Sequence, residues 1–245
     1  MPHPVPNAAP EETPSVTSYG QVIEYIQGAP TPPTYHSFRA HIANMYIYHI
    51  ADRLYLASYT HQPDDSTPFP YPQPKPSRSP NKRSARAQHG PQAVQSSESR
   101  APPLYFSVDH ILLYNAFHAD FGPLHVGHLY RFAVQLHDVL GHPDNESRSV
   151  VFWSNADSRS RANAACILAT YMVLIQNWPP HLALAPIAQM DPPCMPFRDA
   201  GYSQADYSLT IQDVVYGVWK AKEEGLVGLK EFSLEEYERY ERVDQ

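Results

Sequence analysis

Val150-Val151-Phe152-Trp153-Ser154-Asn155-Ala156-Asp157-Ser158-Arg159-Ser160-Arg161 runs straight into an apolar stretch that ends at Gln176. The β-branched and aromatic residues from Ser149 to Trp153 predict a buried strand. Arg161 to Gln176 has the apolar continuity of a core helix, and Pro179-Pro180 closes it because proline cannot continue one. Strand, turn and core helix in direct succession form the building unit of a small α/β domain.

Working outward, His41 to Ser58 alternates Tyr, Ile and Leu with polar residues and predicts strand, turn, strand. Asp109 to Tyr114 predicts a short helix and Gly122 to Leu140 a longer one. In Leu209 to Glu224, Ile211, Val214, Val215 and Val218 recur at helical spacing. The expected fold is α/β, a central sheet flanked by helices.

With 245 residues and 42% hydrophobic content the chain can bury one sizeable core, but 26 prolines are too many for one compact domain. They concentrate in two places. Residues 1–20 read as a disordered tail, and about 60–103 as a disordered Pro-, Ser-, Gln- and Arg-rich insertion. The cost of closing a loop grows slowly with its length, so a domain over 21–245 tolerates such an insertion. The start, Met1-Pro2-His3-Pro4, lacks the features of a secretory signal, and Ala162 to Ile175 is shorter than a membrane span. The protein is expected not to be secreted and not to enter a membrane.

A net charge of −7 argues against nucleic acid as a partner. The charge is uneven: Lys75, Arg78, Lys82, Arg83, Arg86 and Arg100 sit in the middle segment, while Glu223, Glu224, Glu231, Glu235, Glu236, Glu238, Glu241 and Asp244 crowd the end. Cys166 and Cys194 have neither disulfide nor metal spacing and read as packing residues. His125-x-x-His128, with His118 nearby, begins a metal site that no Cys or Glu pair completes.

Five blocks then carry a resemblance: Asp52-Arg53-Leu54-Tyr55-Leu56-Ala57-Ser58, His118-Ala119-Asp120-Phe121-Gly122-Pro123-Leu124, Arg161-Ala162-Asn163-Ala164-Ala165, Pro196-Phe197-Arg198-Asp199-Ala200-Gly201-Tyr202, and the closing Tyr237-Glu238-Arg239-Tyr240-Glu241-Arg242-Val243. In this order they resemble the N-terminal half of Cdc14-type dual-specificity protein phosphatases. The resemblance implies a phosphatase-like fold, the first of two tandem domains, of which only the second holds the catalytic cysteine. It also implies no metal and no cofactor.

Hydrolysis in that superfamily needs His-Cys, five residues, then Arg, on a loop feeding a helix. The thiolate attacks phosphorus while backbone N–H groups and the arginine hold its oxygens. Six positions before Arg161 stands Asn155, and six before Arg159 stands Trp153; neither is a nucleophile. No catalytic residue is therefore expected, and this chain alone should be inactive. Arg159 and Arg161 remain candidates for weak anion contact, with structural pairing as the alternative.

The end of the chain, about 233–245, reads as an acidic helix leading towards a second domain. Glu235, Glu238 and Glu241 recur every three residues, with Glu235/Arg239 and Glu238/Arg242 as i, i+4 pairs. By resemblance these glutamates help form an acidic groove that selects a basic residue C-terminal to phospho-Ser-Pro. Ser79-Pro80-Asn81-Lys82 has the form of a proline-directed phosphosite, and Lys75 to Arg86 that of a nuclear import signal.

The expected function is the substrate-recognising, scaffolding half of a Cdc14-like phosphatase that reverses proline-directed phosphorylation in cell-cycle control. Its partners would be phospho-Ser-Pro proteins together with a catalytic domain, and self-association is a further expectation. The resemblance implies residence in the nucleus, nucleolus and cytoplasm. The alternative is a free-standing pseudophosphatase that binds phosphopeptides or protein partners.

Overall fold

The computed structural model describes residues 39–42, 45–71, 101–228 and 232–241. The tail at 1–20, Ser79, the basic run from Lys75 to Arg86 and the last four residues of the expected linker helix lie outside them. Among the described residues one sheet holds five strands: β1 (Arg39–Ile42), β2 (Met45–Ala51), β3 (Leu54–Tyr59), β4 (Leu104–Phe106) and β5 (Val150–Asn155), in the order β1-β2-β3-β5-β4. β1, β2 and β3 run antiparallel, and β5 lies parallel to both β3 and β4. A two-stranded ribbon pairs β6 (Phe197–Arg198) with β7 (Ser208–Leu209). The α/β class read from the sequence is borne out.

Period-two alternation divides β3 and β5 between two cores. Leu54, Leu56, Val150 and Phe152 face one way, into a core shared with the helices. Tyr55, Ala57, Tyr59, Val151 and Trp153 face the other, into an aromatic layer against which Phe69 and Tyr105 pack. Because both faces are covered, the apolar run at Val150–Trp153 is continuous rather than alternating.

The helices are α1 (Val126–Gly141), α2 (Ser158–Leu174), α3 (Pro180–Leu184), α4 (Ile211–Glu223) and α5 (Leu234–Glu241). α2 is buried on nearly every side, against β5, α1, α3 and α4, which is why its sequence is apolar without amphipathic rhythm. α1 starts four residues later than Gly122, because a residue before proline avoids helical geometry and the ring nitrogen of His125 caps the helix by accepting from His128 N–H. The short helix expected at Asp109 to Tyr114 is instead a turn, with the N–H groups of Ile111 and Leu112 both donating to Val108 O at 3.0 and 2.8 Å. No helix among the described residues is long and apolar enough to cross a membrane.

Of the stretch assigned to the insertion, residues 60–71 and 101–103 are described and pack on the domain. Phe69 meets the Tyr55 ring at 5.0 Å, and the Tyr105 hydroxyl donates to Thr67 O. Tyr71 donates its hydroxyl to Ala101 O at 3.3 Å, and Arg148 donates to the carbonyls of Pro102 and Pro103. The departure and return points of residues 72–100 are thereby held side by side.

Candidate functional site

Two places in the fold gather charged side chains around helix α2 or α1. The first is the turn between β5 and α2, where a phosphate-binding loop would have to lie. Four of its N–H groups already have partners. Asn155 N–H donates to the Asp109 carboxylate at 2.6 Å, and Ala156 N–H continues the sheet by donating to Tyr59 O at 2.9 Å. Asp157 caps α2, accepting from Arg159 N–H and Ser160 N–H at 3.0 Å each. An anion cradle needs N–H groups left free to converge on a ligand; here carboxylates of the chain stand in their path. Burial raises the Asp109 pKa, and Asp157 adds to the shift, while the bond from Asn155 opposes it.

The two arginines of this turn diverge. Arg161 is 4% exposed and donates to Pro192 O, pinning the 190–195 loop to α2. Arg159 points outward, its guanidinium 5.5 Å from the Phe121 ring centre, beside a cavity of about 180 Å³ that Asp109, Ser160 and Asn163 also line. Trp153 and Asn155, six positions before them, belong to the sheet. Burial pushes the Cys166 thiol up to about 12 and raises that of Cys194, so neither is a thiolate near neutral pH.

The motif residues explain themselves as scaffold. Phe121 and Arg198 exchange two backbone hydrogen bonds, of 3.1 and 2.7 Å, and Phe121 packs on Phe197 at 5.1 Å, so the second and fourth motif blocks form one wall. Asp120 accepts from His118 N–H and the Tyr114 hydroxyl, which hold its pKa down to about 2. A Cβ at Gly122 would lie 2.8 Å from the Tyr114 ring. Arg53 binds the carbonyls of Leu140, Asn145 and Arg148, satisfying the end of α1.

The second charged place is where α5 lies on α1. Tyr237 packs over His125 at 5.3 Å and over Gly127, and Phe232 meets the Tyr130 ring at 5.4 Å. Arg131 on α1 pairs with Glu238 on α5. The Tyr237 hydroxyl donates to Glu241 at 2.9 Å. Glu235, with 88% of its side chain exposed, lies 3.4 Å from Arg239 on its own helix. The three predicted glutamates thus share a helix but differ in freedom. His125 and His128 stack at 3.7 Å beneath Tyr237. Burial lowers both, aided by Arg131 and opposed by Glu238 and Glu241; His128, which His125 lowers further, falls to about 4. His118 stacks on Tyr202 instead.

Gly127, Arg131 and Asp109 were not picked out from the sequence. Glycine inside a helix is a legible irregularity, but the residue that packs on Gly127, Tyr237, comes from a distant part of the chain.

The family described as dual specificity protein phosphatase, N-terminal half, matches residues 88–221. The chain belongs to this family. It is 60% identical over 230 residues to the tyrosine-protein phosphatase cdcA of Emericella nidulans, covering 94% of this chain and 33% of that protein. Over 141 residues it is 60% identical to the tyrosine-protein phosphatase CDC14 of Saccharomyces cerevisiae, covering 58% of this chain and 26% of the relative. With the human dual specificity protein phosphatase CDC14A it shares 37% over 141 residues, 57% of this chain and 24% of that protein. The chain spans a third or less of the length of these relatives. As a member of the N-terminal-half family it has no Cys-x5-Arg: the sixth residue after Cys166 is Met172, and after Cys194 it is Ala200.

Proposed function

We propose that this chain is the substrate-recognising and scaffolding half of a Cdc14-like protein phosphatase that acts on phospho-Ser-Pro proteins in cell-cycle control. Its α2 turn performs no chemistry, and α5 presents Glu235, Glu238 and Glu241 as part of an acidic surface for the basic residue that follows the phosphosite. A catalytic domain supplies the cysteine and arginine. The observation that carries this reading is the docked α5 helix, whose carboxylates exceed the cations that face them across the α1 contact. The family membership supports it. Nuclear and cytoplasmic residence belongs to the same proposal.

The test is calorimetric titration of the chain with a phospho-Ser-Pro-x-Lys peptide and with its Lys-to-Ala counterpart. The lysine peptide should bind tighter by roughly two- to fivefold, the worth of an exposed ion pair, and the preference should fade as salt rises. Equal affinities at low salt would sink the proposal. In parallel the chain alone should release no phosphate from either peptide, and Cys166→Ser should change nothing.

A further inference from the structure

The α5 helix has eight residues, too few for a stable isolated helix in water. Its glutamates therefore hold fixed positions only while α5 is docked. The dock has a narrow geometric condition. Gly127 is buried in the second residue of α1, and a Cβ there would lie 2.9 and 3.0 Å from two ring carbons of Tyr237. The ring of His125 would be 3.1 Å away. A side chain at position 127 and the Tyr237 ring compete for one volume. Around that contact, Phe232 stacks on both Tyr130 and Tyr237, and Arg131 reaches Glu238.

We propose that Gly127 is a positioning residue for the acidic helix: by leaving room for Tyr237 it lets α5 dock, and so fixes where Glu238 and Glu241 stand. Glu238 is placed directly, through Arg131. Glu241 is placed through Tyr237, whose hydroxyl it accepts at 2.9 Å while the ring lies against Gly127 and His125. The requirement is specific to this position, since a Cβ at Gly141 or Gly217, the other helical glycines, would meet nothing within 4 Å. The part that concerns peptide selection rests on the function proposed above; the docking part does not.

Gly141 supplies a matched control, since it closes the same helix and a Cβ there would meet nothing within 4 Å. Hydrogen exchange of the full chain, followed by mass spectrometry over residues 234–241, reads docking. The ratio of affinities for the lysine and alanine peptides reads positioning. Gly127→Val should speed exchange in α5 by about tenfold or more and bring the peptide ratio to one, whereas Gly141→Val should leave both as in the wild type. Protected α5 amides in a folded Gly127→Val chain would overturn the proposal. Free exchange with an unchanged peptide ratio would overturn the positioning role. Should Gly127→Val fail to fold, Tyr237→Ala removes the other side of the contact from the surface helix; protection surviving that change also overturns the proposal. A wild type without lysine preference would refute the function proposed above, and the exchange measurements would still decide the docking role.

Discussion

The turn at the head of α2 and the contact between α1 and α5 both gather acidic and basic groups, yet they dispose of them differently. At the turn, Asp109 and Asp157 satisfy N–H groups of the loop and Arg161 is drawn inward to Pro192 O. Arg159 lies against Phe121. At the α1–α5 contact one cation, Arg131, meets Glu238, while Glu235 stays in solvent. A turn of this kind keeps its shape by directing its polar groups upon itself. The substrate recognition proposed above draws on the other place, where charge remains unmatched.

Substitutions can test that contrast, beginning with the largest effect. Phe152→Ala removes a ring lying 4.9 Å from Phe132 and 5.3 Å from Phe106 at the base of the turn, and should cost about 3–5 kcal/mol in denaturant unfolding. Arg161→Ala should cost about 1–3 kcal/mol, because the Pro192 carbonyl loses its donor, while peptide affinity stays unchanged. An affinity loss there would mean the turn takes part in binding after all. Asp157→Ala, which uncaps α2, should cost about 1 kcal/mol.

The next test is one of pH. Because His128 is depressed from 6.5 to about 4 in the fold, the unfolded chain binds the proton first as pH falls. Its contribution to stability is therefore complete above about pH 6.5 and declines as pH drops towards 4. Melting temperature measured across this window should fall more steeply for the wild type than for His128→Gln. Parallel profiles would place the stacked histidines outside the energetics of the α5 contact. The smallest effect belongs to Glu235→Gln, which should change stability by less than about 0.5 kcal/mol, as expected for an exposed i, i+4 pair. It should nevertheless weaken the preference for the lysine peptide.

Much of the fold was legible because its signals are local. The apolar run at Val150–Trp153 and the stretch ending at Gln176 declare a doubly covered strand and a buried helix without reference to anything else. Boundaries were less legible where a side chain intervened: His125 caps α1 later than Gly122 suggested, and Asp109 serves the α2 turn rather than a helix of its own. Of the site, the sequence identified Glu235, Glu238 and Glu241 as one helical set and ruled out a nucleophile at Trp153 or Asn155. It offered no means of telling that Arg161 faces inward and Arg159 outward, since two residues apart on a helix point to different sides only relative to neighbours not yet known.

Composition, apolar periodicity and motif order thus determined the α/β class, the absence of Cys-x5-Arg from this sequence and the acidic character of the final helix, since each follows from residue type and short-range spacing. Tertiary structure decided which charges are free. Whether Glu238 meets a cation depends on Arg131, 107 residues away, and whether Tyr237 can lie on α1 depends on an absent side chain at Gly127. Such pairings arise from packing between distant segments, where a difference of one methyl group decides whether two surfaces fit.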